Sequence, residues 1–184
     1  NWQRETEHFA PDLRAHVYGG SKRRDLVPQL GPDDVLIISY DLVARDVDVL
    51  QKQKFATLVL DEAQAFKTPA TRRHRAVRSL DCEWVVALTG TPVENHLGEL
   101  GALLSVVAPG LLGSREHFRQ RFALPIERRG DAQVRKELAQ MIRPFVLRRT
   151  KSEVATELPP RTEMTIDVVL SPEERELYVQ ARLS

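Results

Sequence analysis

The sequence has 184 residues, 42% of them apolar and 29% charged, with a formal net charge of +1; this supports one compact domain, or one domain and part of another, and leaves any nucleic-acid affinity to local basic clusters. Cys82 is the only cysteine, which excludes an internal disulfide and a cysteine zinc site. No apolar run reaches the roughly 20 residues that span a bilayer, and no charged-then-apolar leader opens the chain, so a cytoplasmic location is expected.

The chain starts at Asn1 inside a helix-like pattern and stops at Ser184 inside another, so both ends read as cut from a longer protein. Trp2, Phe9 and Leu13 predict a short helix ending near Pro11, followed by a strand over residues 14–18 that Gly19-Gly20 stops. Residues 21–30 are polar and partly helical. Val35-Leu36-Ile37-Ile38, Thr57-Leu58-Val59-Leu60 and Trp84-Val85-Val86-Ala87-Leu88 are continuous apolar runs, the pattern of strands buried on both faces of a parallel sheet. Cys82, just ahead of the third run, is expected to be a small buried hydrophobe. Helices are predicted over residues 40–53 and 69–80. Alternating strands and helices imply an α/β domain with a parallel sheet, whose ligands bind at the carboxyl ends of the strands. From residue 97 the pattern turns helical: 97–107, then amphipathic stretches at 115–122 and 132–142. Residues 162–170 alternate and predict a half-buried strand. A last helix over 172–183 has Ser171 as N-cap and Pro172 in its first turn.

The polar clusters fall where such a sheet would present them. Asp61-Glu62 directly follows an apolar strand, and adjacent carboxylates repel, so the pair is costly unless used. In phosphoryl-transfer motors the first acid of such a pair holds magnesium and the second orients or deprotonates the attacking water. Neighbouring strand side chains point opposite ways, so the strand must end at this pair for both to reach one phosphate. An N-cap followed by a first-turn acid would account for the same two residues. Thr89-Gly90-Thr91-Pro92 ends another apolar strand, and its hydroxyls and glycine offer hydrogen bonds and close backbone approach; a turn with a helix cap accounts for it equally.

Taken together, Leu58-Val59-Leu60-Asp61-Glu62-Ala63-Gln64 and Leu88-Thr89-Gly90-Thr91-Pro92-Val93-Glu94-Asn95 resemble motifs II and III of the SWI/SNF-like family of superfamily-two helicase-related ATPases. Asn1-Trp2 through Phe9 resembles the helix after that family's motif Ia, and Ile37-Ile38-Ser39-Tyr40 resembles motif Ib. Pro109-Gly110-Leu111-Leu112-Gly113 and Pro144-Phe145-Val146-Leu147-Arg148-Arg149-Thr150-Lys151, with Glu157-Leu158-Pro159, resemble the block leading out of lobe one. The resemblance covers nearly the whole chain in order. Gln64 and the Val93-Glu94-Asn95 ending are similar to bacterial members. Phe66, Thr68, His96, Ser39 and Gly101 depart from the usual residues; Gly101 replaces a common tryptophan and raises the question of local helix packing, since glycine costs about 1 kcal/mol inside a helix.

The resemblance implies a RecA-like parallel sheet flanked by helices, part of motor lobe one, over residues 1–110. A helical extension and inter-lobe connection follows over 111–160, and the start of a second lobe over 161–184. It implies ATP as substrate and Mg2+ as cofactor, with Asp61 holding the metal, Glu62 positioning water and Gln64 sensing the γ-phosphate. Thr89, Gly90, Thr91, Glu94 and Asn95 form the coupling motif. Ser39, Tyr40, Arg148, Arg149 and Lys151 are placed nearer the nucleic acid. Other arginines, at 72, 73, 75 and 78 and at 115, 119 and 121, suit solvated faces and ion pairs, and the five histidines lack metal-ligand spacing. The implied partner is double-stranded DNA, with RNA polymerase or other DNA-bound proteins as further candidates, no membrane, and a nucleoid-associated location. A motor of this kind needs G-x-x-x-x-G-K-[ST]; these residues contain no Gly-Lys pair, so residues 1–184 alone are expected to be inactive. An RNA helicase of the wider superfamily, and a degenerate lobe serving as a protein-interaction module, remain alternative readings.

Overall fold

The computed structural model describes residues 1–68, 70–93, 95–154, 163–167 and 169–183. Helix α1 (Trp2–Phe9) leads into strand β1 (Arg14–Val17), a short helix α2 (Arg23–Leu26) that runs on as a 3-10 turn, and strand β2 (Asp34–Ile37). Helices α3 (Tyr40–Arg45) and α4 (Val47–Leu50) precede strand β3 (Lys54–Leu60). A 3-10 turn (Ala63–Phe66), helix α5 (Arg72–Arg78) and strand β4 (Asp81–Ala87) complete the α/β portion. Then come α6 (Leu97–Val107), α7 (Arg115–Phe118), α8 (Leu124–Arg129) and α9 (Ala132–Ile142). By contact density, residues 1–146 form one unit and 147–184 another.

The strands are parallel, as their alternation with helices implies, but they form two ladders rather than one continuous sheet among the described residues. β1 pairs with β2 from Arg14↔Asp34 to Val17↔Ile37, and β3 with β4 from Lys54↔Asp81 to Leu60↔Ala87. Nor are the strands buried on both faces. Leu58 and Leu60 lie beside Val85 and Ala87 against the core, while Val59, Trp84 and Val86 on the opposite face are exposed. The period of two explains the split: successive residues alternate faces, and the helices cover only one. Cys82 is half-buried rather than buried.

The core of the α/β part joins Val43, Leu50, Leu60, Ala63, Phe66, Val77, Leu103 and Val106. The single helix expected over 40–53 is broken at Asp46. This residue, 1% exposed, leaves helical geometry (φ −112°, ψ 25°) while its carboxylate accepts from Tyr18 Oη at 3.2 Å and Arg23 Nε at 2.6 Å. A carboxylate so deep needs those donors, since an unpaired one is strongly penalised. α5 is shorter than expected because Thr71 Oγ1 caps its start, accepting from His74 N at 3.2 Å.

A second cluster packs Leu100 and Leu104 of α6 against Leu112, Phe118, Phe122 and Leu138. Here Gly101 has its explanation: a Cβ on it would stand 2.9 Å from Cδ1 and Cε1 of Phe118. The stretch expected as one helix over 115–122 is α7 followed by a π turn (Arg119–Ala123) into α8. That wide turn falls just ahead of Pro125, which has no N–H for the helical ladder.

In the second unit, α10 (Lys151–Val154) and α11 (Pro172–Leu183) are helical. Ser171 caps α11 reciprocally: Glu174 N donates to Ser171 Oγ at 3.3 Å, and Ser171 N to Glu174 Oε2 at 2.9 Å. The half-buried strand expected over 162–170 is not formed by its described residues, 163–167 and 169–170, where Met164 and Ile166 are exposed. Backbone groups in a strand need a neighbouring strand, and the described residues offer none there. Thr162 and Val168 lie outside the described residues.

Candidate functional site

β3 ends at Leu60, and the chain behind it is stitched to the end of β4. Leu88 N donates to Leu60 O at 2.8 Å and Ala63 N to Leu88 O at 2.9 Å. The two polar clusters of the sequence therefore meet at the same strand ends. Between them Glu62 takes a left-handed conformation (φ 46°, ψ 50°), the sole non-glycine positive φ among the described residues. A side chain in that region costs roughly 1–2 kcal/mol, and the turn ends strand alternation at the acid pair, as that pairing requires.

Asp61 is held at three atoms. Its carbonyl accepts from Tyr40 Oη at 2.7 Å, its Oδ1 from Glu62 N at 3.0 Å, and its Oδ2 from Trp2 Nε1 at 2.8 Å. Burial, and then the charges of Asp61 and Glu62, push the Tyr40 phenol up to about 12. Tyr40 therefore stays protonated, and a donor, at any physiological pH. Its ring also packs on Phe66, with centroids 5.5 Å apart.

From Glu62 a hydrogen-bonded chain crosses to the other strand end. Gln64 Nε2 donates to Glu62 Oε2 at 2.7 Å, Thr89 Oγ1 donates to Gln64 Oε1 at 2.7 Å, and Thr91 N donates to Thr89 Oγ1 at 3.2 Å. Only an amide suits the middle position: its N–H2 faces a carboxylate and its carbonyl faces a hydroxyl. Gly90 lies between the two threonines, and among the described residues a Cβ there would meet nothing within 4 Å, so none of them dictates glycine at that point.

Asn95 turns away into a second polar cluster. Its N and Nδ2 donate to Glu99 Oε2 at 3.2 Å and Oε1 at 3.1 Å, and Lys67 Nζ lies 3.2 Å from Glu99 Oε1. Glu99 is 3% exposed, so these partners compensate a buried charge. The cluster ties the segment after Gln64 to the segment after Thr91.

Asp61, Glu62, Gln64, Thr89, Thr91 and Tyr40 are thus brought together. Ser39 is an N-cap, accepting from Leu42 N at 3.4 Å. Glu94 lies outside the described residues. Arg148 and Arg149 belong to the second unit, where Lys151 opens α10 and Thr150 donates to Glu153. Sequence reading missed the contact of Trp2 with Asp61 and the pairing of Lys67 with Glu99. Nothing in the spacing of those residues signals it. An open cleft of about 420 Å³ beside Asp41, Arg45, Arg72 and Arg73 is lined by none of Asp61, Glu62 and Gln64; Arg73 binds Asp41 there through two bonds, of 2.7 and 2.9 Å.

The donor set suits magnesium bound chiefly by a substrate. Among the described residues there is no group of three or more His, Cys, Asp or Glu that could hold a metal. Mg2+ commonly takes one or two carboxylates together with phosphate oxygens and water, and a single carboxylate such as that of Asp61 would fit that demand. Among the described residues no helix is long and apolar enough to cross a membrane.

Residues 1–184 match the model of the SNF2-related domain along their whole length. The chain is 41% identical over 185 residues to YwqA of Bacillus subtilis, covering 98% of this chain and 20% of that protein. It is 33% identical over 200 residues to the chromatin-remodeling ATPase INO80 of Candida albicans, covering 99% and 14%. Among solved structures it resembles the Sulfolobus solfataricus SWI2/SNF2 ATPase core in complex with dsDNA. That likeness has a TM-score of 0.74 and 36% identity over 97% of this chain and 37% of that one. The chain spans a fifth or less of these two curated relatives.

Proposed function

The chain belongs to the SNF2-related domain family, and from that premise we propose that it is part of the first motor lobe of an ATPase that moves along double-stranded DNA. Residues 1–110 supply the later part of that lobe, 111–160 the helical extension and connection, and 161–184 the start of the second lobe. Asp61 is the ligand for magnesium, which when bound neutralises charge on the transferring phosphoryl group. Glu62 orients and deprotonates the attacking water, and Gln64 reports the γ-phosphate. Thr89, Gly90 and Thr91, with Glu94 and Asn95, pass that report towards the nucleic acid. Ser39 and, from the second unit, Arg148, Arg149 and Lys151 contribute to the DNA track. Tyr40 has a double assignment, since its hydroxyl also fixes the Asp61 backbone.

The observation that carries this reading is the hydrogen-bonded chain Glu62–Gln64–Thr89, with both links at 2.7 Å. It joins the hydrolytic acid to the coupling motif through side chains alone, an arrangement with no purpose in a turn that merely caps a helix. Double-stranded DNA is favoured over RNA because the motif runs Thr89-Gly90-Thr91 rather than the serine-alanine-threonine of most RNA helicases of the superfamily, and because the neighbouring solved core was determined with dsDNA. A DNA track places the protein at the nucleoid. Residues 1–184 by themselves are inactive on this reading, since they contain no G-x-x-x-x-G-K-[ST] sequence.

The test is ATP turnover and triplex displacement by the full-length protein carrying this chain, on duplex DNA and on duplex RNA, against a Glu62→Gln control. Turnover stimulated by duplex DNA, with triplex displacement, is expected. Stimulation by RNA alone would replace the DNA reading, and no turnover on either would leave an interaction module.

A further inference from the structure

Trp2 stands 59 residues from Asp61 in sequence, yet its indole N–H meets Oδ2 of that carboxylate at 2.8 Å. The other carboxylate oxygen, Oδ1, accepts from Glu62 N at 3.0 Å. Each oxygen of Asp61 thus carries one protein donor. A carboxylate has about four acceptor positions over its two oxygens, so both remain able to accept more while the group can no longer rotate. An N–H on a carboxylate at this distance is in the charge-assisted range. Indole donates only, and neither titrates nor ligates a cation, so it fixes the acid without competing for its charge.

The local structure holds Trp2 in place for this. It sits in the first turn of α1, where Thr6 Oγ1 donates to its carbonyl at 2.9 Å. Trp2 as a whole is 45% exposed, so core filling does not account for its position. Tyr40 fixes the Asp61 carbonyl from another element. Side chain and backbone of one residue are therefore anchored from two helices distant in sequence, a degree of restraint that ordinary strand ends do not need.

We propose that Trp2 is a positioning residue for Asp61: its indole N–H fixes the carboxylate in the orientation that receives a divalent cation bound with a nucleoside triphosphate. This rests on Asp61 being the magnesium ligand. Partners behind a metal-binding group typically change affinity 10–100-fold when removed; a half-exposed donor belongs at the low end of that range.

The experiment measures binding of a fluorescent, non-hydrolysable ATP analogue to the full-length protein across a Mg2+ titration, for wild type, Trp2→Phe and Asp61→Asn. Trp2→Phe keeps an aromatic ring and loses only the donor. A second variant, with benzothienylalanine at position 2, replaces the N–H by sulfur at nearly the same shape. Both are expected to raise the Mg2+ concentration for half-maximal binding about tenfold. Binding in EDTA should stay at the wild-type level, and so should the midpoint of thermal unfolding. A shift with Asp61→Asn but none with either Trp2 variant overturns the inference and leaves the role of Asp61 standing. No shift with Asp61→Asn overturns the role of Asp61 and the inference with it. An equal loss of binding in EDTA makes Trp2 a structural residue, which also overturns it.

Discussion

Thr89 donates its hydroxyl to the side-chain amide oxygen of Gln64, Oε1, at 2.7 Å, across a sequence separation of 25 residues. Since Gln64 spends its N–H2 on Glu62, the amide cannot turn over without losing both bonds. A change in the distance between the two strand ends must therefore reorient either Gln64 or Glu62. On the proposed function, Gln64–Thr89 is the joint through which nucleotide state and coupling motif sense each other.

The joint should show as non-additivity. Thr89→Val removes the hydroxyl at nearly constant shape, and Gln64→Ala removes the amide. Each is expected to lower DNA-stimulated turnover about tenfold, and the double variant no further than the worse single one. That corresponds to a coupling of about 1.4 kcal/mol, within the range of one hydrogen bond. Steady-state turnover of the four proteins checks it; strictly additive losses would mean the two residues act separately.

The two acids should separate by role. Glu62→Gln keeps size and one hydrogen bond and removes basicity, so turnover is expected to fall below detection while nucleotide binding stays within about twofold. Asp61→Asn is expected to weaken Mg2+-dependent binding as well, because it removes the charge a cation needs. Equilibrium titration with labelled nucleotide distinguishes them, and equal loss of affinity in both would reverse the division.

Gly101 should resist the helix former alanine. In an open helix Gly→Ala gains about 1 kcal/mol. Here the added Cβ would lie 2.9 Å from two carbons of the Phe118 ring, and overpacking costs about 1–3 kcal/mol. The overpacking cost therefore offsets or exceeds the gain, and a net destabilisation of up to about 2 kcal/mol is expected in urea unfolding. Phe118→Leu, which withdraws the ring edge, should reduce the cost of Gly101→Ala. A stabilised single variant would show that the ring simply moves aside.

Much of this was legible in the sequence, and the rest was hidden for identifiable reasons. The strand runs and the acids after them stand out because apolar continuity and its abrupt end are local signals. α6, α9 and α11 match their expected bounds because each has clear breaks or caps in the sequence. The break at Asp46 was not legible, because it depends on Arg23 and Tyr18 arriving from elsewhere. The fit of Gly101 depends on Phe118 in the same way, and the contact of Trp2 on the folded position of α1. The described residues of the strand expected over 162–170 are not in a strand for the complementary reason: alternation describes a strand only where another strand is present to pair with it, and the described residues offer none there. The hydrogen bond of Tyr40 to the Asp61 carbonyl was not legible either, since nothing local shows its hydroxyl reaching that atom.

The last expectation concerns pH and the core beneath the acid turn. His74 is 3% exposed, its Nδ1 lies 3.0 Å from the Phe66 carbonyl oxygen, and its ring packs near that of Phe66. A carbonyl only accepts, so Nδ1 carries the proton of the neutral ring. Burial holds the pKa of His74 below the ordinary histidine value; the Phe66 carbonyl opposes this, and the nearby charge of Arg78 adds to it. The sign follows from linkage. Above about pH 6.5 His74 is neutral folded or unfolded, and its contribution is complete. As pH falls through that value the unfolded chain takes up the proton first, so stability declines until the folded protein titrates too. Urea unfolding should therefore show lower stability at about pH 5.5 than at about pH 7.5. In His74→Gln, which retains an N–H donor for Phe66 without titrating, the decline should be smaller. Phe66 closes the 3-10 turn that follows Glu62, so the acid turn should loosen over the same range. Amide hydrogen exchange at Ala63, Gln64 and Ala65 reads this directly; exchange there that, once corrected for intrinsic rates, stays constant between the two pH values would uncouple His74 from the site.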